Sequence, residues 1–270
     1  MQGPFVGLFV FTHEPLHDGP LQRQQRPSQA RKHTTTRDVT WRSVLTPSEH
    51  ANVAESLANS QGVHVEFLAP ESLDVSRYQY QYPSVQIRRI EDYHLASIAS
   101  YNRLMLSQFF YEAYAQFDYL AIVQTDAFVR KNLASMADFD FDYLGAPWTK
   151  GVFYRSINGH LFVHQPSGTR QRQIRGLALK VLGRQVFVGN GGLSMRNVEQ
   201  FRRFTRDYKN LNKGYLEQGI NEDIIIATIG SESGLRIASP ELAGAIFGEQ
   251  VNMEQAVTAD LWGVHAPTPN

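Results

Sequence analysis

An apolar run, Tyr119-Leu120-Ala121-Ile122-Val123, stops abruptly at Gln124-Thr125-Asp126. If the run is a buried strand, side chains two apart share a face, so Gln124 and Asp126 present a carboxamide and a carboxylate together at its end. Hard divalent ions such as Mg²⁺ or Mn²⁺ take few protein oxygens and fill their shell from phosphate and water, so this sparse pair suits a nucleoside-diphosphate site. Asp126 capping a turn is the ordinary alternative. Asn221-Glu222-Asp223 opens an apolar stretch, Ile224-Ile225-Ile226. Its carboxylates can serve the first turn of a helix, or one can act as a general base on a hydroxyl.

Three further groups could join them. Gly189-Asn190-Gly191-Gly192 lets backbone approach a ligand or makes a tight turn; no Gly-Lys-Ser/Thr follows, so it is no phosphate-binding P-loop. His265, after Leu261-Trp262-Gly263-Val264, can ligate a divalent ion or simply pack. Trp148, after Gly145-Ala146-Pro147, can stack on a sugar or base or fill the core. The basic stretch Arg170, Arg172, Arg175, Lys180 and Arg184 can meet a diphosphate, a lipid-linked acceptor or nucleic-acid phosphates, or form a solvated helix face.

These residues need a scaffold. Phe5 to Phe11 reads as a buried strand, His13 to Arg37 as a long mobile loop, Ser48 to Asn59 as a helix capped by Ser48, and Val63 to Leu68 as a second strand. Leu106, Phe110, Ala113 and Phe117 recur at helical spacing, which predicts one long helix over Leu95 to Phe117 feeding the Tyr119 strand. Asp140 to Trp148 mixes a strand with a turn, and Gln185 to Val188 enters a glycine loop. A helix is expected toward Tyr208, a short one follows over Asn221 to Ile229, and the chain's end reads as loop-rich. A helix feeding a strand puts the polar trio at a strand's C-terminal end, where open α/β sheets bind ligands.

The 270 residues, 42% hydrophobic, suffice for one large domain with a buried core. Lys plus Arg and Asp plus Glu number 26 each, so no global field draws the chain to nucleic acid or an anionic membrane. With no cysteine, thiolate metal sites and thiol nucleophiles are excluded, and any metal needs oxygen or histidine ligands. No signal peptide or membrane span is evident, and a cytoplasmic protein is expected.

Taken in order, these pieces resemble a glycosyltransferase-like family catalogued as a domain of unknown function and similar to GT-A glycosyltransferases. The resemblance runs through Tyr101-Asn102-Arg103-Leu104-Met105-Leu106-Ser107, Phe110-Tyr111, Tyr119 to Val129, Asp142 to Trp148, Gly189 to Arg196, Asn221-Glu222-Asp223, Phe247-Gly248 and Trp262-Gly263-Val264-His265, covering residues 85–265. It implies one GT-A-like domain over 1–270: a three-layer α/β/α sandwich on a mixed, mostly parallel sheet with a Rossmann-like nucleotide-binding half. It also implies transfer of a sugar from a nucleotide-sugar donor to a glycan or other hydroxyl acceptor, with Mn²⁺ or Mg²⁺.

Within it, Asp126 and His265 would hold the metal, where GT-A enzymes carry Asp-x-Asp and a C-terminal histidine. Thr12, Asn102, Arg103, Gln124, Thr125, Gly191 and Gly192 would join Asp126 around the donor, with Arg103 helping to neutralise the leaving diphosphate. Trp148 and Asn190 would face the sugar and acceptor, and Asp223 or Glu222 would be the base of an inverting transfer. Two rivals stand beside this reading, ahead of a more distant one, a metal hydrolase of phosphate esters. Gln124 in place of aspartate suggests a degenerate nucleotide- or glycan-binding module, and the basic stretch suggests a DNA-modifying glucosyltransferase, which the zero net charge disfavours.

Overall fold

The computed structural model describes residues 44–136, 140–164 and 182–268, and the backbone of 5–10. Thr12, the His13 to Arg37 loop and the basic positions Arg170, Arg172, Arg175 and Lys180 lie outside the described residues. Strand β1 (Phe5–Val10) is followed by α1 (Pro47–Ala58), β2 (His64–Pro70), α2 (Ser76–Gln81) and β3 (Gln86–Ile90). Thr46, two residues before the expected Ser48, caps α1, and Glu49 completes a reciprocal capping box with Pro47 in the first turn.

The single long helix expected over Leu95 to Phe117 is three short ones, α3 (Asp92–Leu95), α4 (Ile98–Met105) and α5 (Gln108–Glu112). Two serines divide it. The Ser97 hydroxyl accepts from the Ser100 amide and the Ser107 hydroxyl from the Phe110 amide, each starting a new helix. Then come β4 (Tyr119–Gln124), β5 (Ala127–Val129), the long β6 (Tyr143–Ile157), β7 (His160–His164) and β8 (Arg184–Asn197). The expected glycine loop is thus interior to β8, whose pairing with β6 shifts register around Ala146 and Pro147.

Helices α6 (Val198–Asp207), α7 (Lys209–Glu217) and α8 (Glu222–Ile225) follow, and α8 continues as a π turn over Ile226–Gly230. The end of the chain is more regular than expected: α9 (Pro240–Ile246), β9 (Phe247–Glu249), α10 (Met253–Thr258) and β10 (Gly263–His265). Ser239 and Asn252 cap its two helices.

The fold is mixed α/β. A seven-stranded sheet runs β3-β2-β1-β4-β8-β6-β7. It is parallel from β3 to β4 and antiparallel from β4 to β7, so its pairings divide evenly and the sheet is not mostly parallel. A three-stranded sheet, β5-β10-β9, pairs β10 antiparallel to β5 and parallel to β9.

Alternation along β4 places the large sheet between two apolar layers. Leu120 and Ile122 join Tyr111, Phe201 and Ile225 on one face, while Ala121 and Val123 join Val53, Phe67 and Phe247 on the other. Each such fully buried large side chain contributes about 1.5–3 kcal/mol relative to exposure, and these two layers anchor β4 in the core. No helix among the described residues is long and apolar enough to cross a membrane.

Candidate functional site

Gln124 ends β4 opposite Val10, the last residue of parallel β1. The chain leaves β1 toward β2 on one side, while β4 lies on the other, so the trio sits where connections diverge at the carboxyl edge of the parallel strands. Thr125 turns away from its neighbours and is buried. Its hydroxyl donates to Glu49 Oε1 at 2.8 Å, and its carbonyl accepts from Asn52 Nδ2 at 3.0 Å. Glu49 also accepts from the Thr46 amide at 2.7 Å, so the cap of α1 and the turn after β4 are one hydrogen-bonded unit.

The small sheet brings His265 to this turn. His265 stands opposite Ala127 on β5, and the amide of Ala266 donates to the Asp126 carbonyl at 2.9 Å. His265 Nε2 lies 3.6 Å from Asp126 Oδ2. On the far side of the ring, Nδ1 lies 3.0 Å from Glu249 Oε2, and Asn190 Nδ2 donates to the same carboxylate at 2.9 Å. Asn190 Nδ2 also lies 2.9 Å from Nδ1, so both groups grip the ring at Nδ1 and Nε2 is turned toward Asp126. Asp126 Oδ1 is buried and has no hydrogen-bond partner.

Burial pushes the Asp126 carboxyl up, partly offset by His265. Burial alone would lower His265, but the Glu249 hydrogen bond and the charges of Asp126, Glu249 and Asp223 outweigh it and raise the imidazolium. Such a pair with an orphaned oxygen fits a divalent ion whose remaining ligands come from elsewhere. Among the described residues no cluster of three or more His, Asp or Glu side chains could hold a metal alone.

The glycines of β8 permit the assembly by close approach, since none of Gly189, Gly191 and Gly192 has positive φ. A Cβ on Gly192 would lie 2.5 Å from both Gln124 Oε1 and His265 Nε2. One on Gly191 would strike the Glu222 carboxylate, and one on Gly189 would strike the ring of half-buried Trp148. Asn190 Oδ1 accepts from the Gly192 amide at 2.8 Å, so its side chain ties β8 to Glu249 and is already engaged.

Opposite the turn, Asn102 Nδ2 donates to Asn221 Oδ1 at 3.0 Å and fixes the start of α8. Glu222 is buried with Oε1 3.6 Å from Nη2 of Arg196, itself wholly buried. Arg196 also donates to Tyr111 Oη at 2.8 Å and to Ser194 Oγ at 3.2 Å. Asp223 keeps part of its surface, and its Oδ1 accepts from the Ile224 amide at 2.7 Å. Burial, and then the Glu222 charge, push Asp223 up to about 8; burial also raises Glu222, against the pull of Arg196. The half-buried, proton-holding Asp223 is the carboxyl a ligand can reach, while Glu222 is tied to Arg196.

The structure therefore gathers Gln124, Asp126, Gly191, Gly192, His265, Glu222 and Asp223, with Asn190 and Trp148 along the same strand and Asn102 behind. It does not bring Arg103 to them. Arg103 is exposed and lines a separate cleft with residues of α5, α6 and α7. Neighbours on a helix diverge by about 100°, so Asn102 and Arg103 cannot face one site.

Glu249, Glu49 and Arg196 join the site with only faint signals in the sequence. Glu249 follows Phe247-Gly248, Glu49 is the third residue of a capping box, and Arg196 ends the Gly-Gly-Leu-Ser-Met-Arg run. The profile of one protein family matches residues 84–260; it is described as a protein of unknown function (DUF5672). No curated protein matches the chain.

Proposed function

We propose, for this chain, which belongs to the DUF5672 family, the transfer of a sugar from a nucleotide-sugar donor to a hydroxyl acceptor with a divalent metal, Mn²⁺ or Mg²⁺. The observation that carries the reading is the Asp126–His265 pair, 3.6 Å apart, with a buried, unpartnered Asp126 oxygen at the carboxyl edge of β1 and β4. The order β3-β2-β1-β4, parallel throughout and covered on both faces, supports a Rossmann-like half within a GT-A-like sandwich.

Asp126 and His265 would hold the ion, which when bound supplies positive charge for the departing diphosphate. Gln124, beside Gly192, would contact the ribose or reach the donor through a water. Asp223, in its ionised form, takes the proton of the acceptor hydroxyl as its oxygen bonds to the anomeric carbon and the bond from that carbon to phosphate breaks. Attack on the face opposite the diphosphate inverts the centre and needs no covalent nucleophile. The Glu222 charge, faced by Arg196, helps to raise the Asp223 carboxyl, Trp148 offers a ring for stacking, and no step is assigned to Arg103.

Incubating the protein with a panel of nucleotide sugars and following release of nucleoside diphosphate with Mn²⁺ or EDTA tests this. Turnover that needs metal and disappears in Asp126→Ala and Asp223→Asn is expected. Donor binding without release of diphosphate would favour a binding module, for which Gln124 in place of aspartate is the motive.

A further inference from the structure

Helix α1 lies along the outer edge of β5, and it makes the contact with polar side chains. Strand β5 is at one side of the three-stranded sheet, with β10 as its strand partner. Along the other side of β5 and the turn before it, Asn52 Nδ2 donates to the Thr125 carbonyl at 3.0 Å and Asn59 Nδ2 to the Val129 carbonyl at 3.3 Å. Ser56 Oγ accepts from the Val129 amide at 2.9 Å, and the Thr125 hydroxyl donates to Glu49 Oε1 at 2.8 Å. Glu49, Asn52, Ser56 and Asn59 follow one another at intervals of three and four, so they form a single stripe on the helix. The helix takes the place of a fourth strand.

What this stripe adds is register. Apolar contacts are non-directional and let one element slide along another. Hydrogen bonds to named backbone atoms do not, and a slip of one helical turn, about 5.4 Å, breaks all four. Asp126 lies inside the segment so fixed. On its other side the Asp126 carbonyl accepts from the Ala266 amide at 2.9 Å, next to His265. The 3.6 Å between Asp126 Oδ2 and His265 Nε2 is therefore the gap between a segment set by α1 and one set by the pairing of β10. Glu49 alone in the stripe is acidic, and a hydrogen bond to an ionised acceptor is roughly twice as strong as one between neutral groups. Its Oε2 accepts from the Thr46 amide and hydroxyl, each at 2.7 Å, so the carboxylate is anchored at both oxygens. Thr125 is 1% exposed, and water does not compete for its hydroxyl.

We propose that Glu49 is a positioning residue: acting through the Thr125 hydroxyl, it fixes Asp126 at its spacing from His265 and so sets the pair's hold on a divalent ion. The hold on the ion rests on the reading of this pair as a metal site; the positioning does not.

Mn²⁺ titration of the full chain by EPR, beside amide exchange of the metal-free protein by NMR, tests both parts. Thr125→Val, close in volume, and Glu49→Gln each weaken Mn²⁺ binding about tenfold, and the two together weaken it no further than the stronger one alone. Without metal, the Ala266 amide quickens in each variant at least about tenfold more than the Ile122 amide inside β4, because the opening is local. Thr46→Ala removes the cap hydroxyl and leaves the Glu49–Thr125 bond. It lowers the melting temperature, quickens both amides alike and keeps Mn²⁺ affinity within about threefold of wild type. Mn²⁺ affinity indifferent to Thr125→Val and Glu49→Gln, additive losses when they are combined, Ala266 exchange that quickens no more than that of Ile122, or a Thr46→Ala that loses as much affinity as Glu49→Gln overturns the assignment. A wild type that binds no Mn²⁺, with Ala266 quickened in the variants as stated, sinks the metal reading and supports the positioning.

Discussion

Asp126 and His265 are held at the rim of the sheet by strand pairing and side-chain hydrogen bonds, whereas Glu222 and Asp223 stand over a guanidinium sealed beneath it. The rim half keeps 24% and 13% of its two side chains exposed; Arg196 keeps none and Glu222 6%. Acidic charge at the rim, with one imidazole and one unpartnered oxygen, is balanced best by a cation that arrives with substrate. The inner pair of carboxyls faces one guanidinium, and its charge is balanced by a proton. The difference teaches that one half should answer to metal and the other to pH.

The comparison breaks most visibly at Asp223. Replacing it with asparagine keeps the volume and removes the base, so turnover should fall about 10²–10⁴-fold while metal-dependent donor binding survives. Loss of donor binding as well would mean the two halves are not separable.

Arg196→Met comes next. It leaves Glu222 buried without its cation and should destabilise the fold by about 3–5 kcal/mol in urea unfolding, with Arg196→Met/Glu222→Gln recovering much of the loss. An unchanged midpoint would show that the buried pair at 3.6 Å contributes nothing.

Glu249→Gln keeps the shape but weakens the hold on His265 Nδ1, and Mn²⁺ affinity with donor present should drop about 10–100-fold. An equal drop in Glu254→Gln, on exposed α10, would remove the special role of Glu249.

The same inner half sets a dependence on pH. Asp223 is raised from 3.8 to about 8 in the folded protein, so the stability it contributes is complete below about pH 4 and lost as pH rises through about 8. Asp223→Asn should therefore melt higher than wild type at pH 8 and converge with it near pH 4. Turnover of the wild type should climb as pH rises through about 8, as the base form of Asp223 grows.

Much of this site could be read from the chain alone because its groups lie at ends of elements. Asp126 follows an apolar strand, Asp223 opens an apolar helix, and Gly191 and Gly192 have no side chain to keep neighbours away. What escaped reading depends on contacts between distant segments. Glu249 matters only because β9 lies beside β10, and Glu49 only because α1 caps against the turn after β4. Gly189 to Gly192 reads as a loop, yet pairing of β8 with β6 overrides the weak strand preference of glycine. Over Leu95 to Phe117 the apolar spacing persists, but Ser97 and Ser107 restart the helix, and a caps-first reading would have found both breaks. The evenly divided sheet was hidden because β6 and β8 are long and carry polar ends, so they read as turn and loop.

The most direct test of the central claim, that Asp126 and His265 together hold a divalent ion for a nucleotide sugar, is thermal unfolding across a nucleotide-sugar panel with and without Mn²⁺. A ligand that binds only the native state raises its apparent stability, by about 2.7 kcal/mol at a hundredfold excess over Kd. The account predicts that at least one nucleotide sugar raises the melting temperature only when Mn²⁺ is present, and that Asp126→Ala and His265→Ala each abolish the rise. A folded wild type that no combination of donor and metal stabilises, or a rise that survives both substitutions, would contradict it.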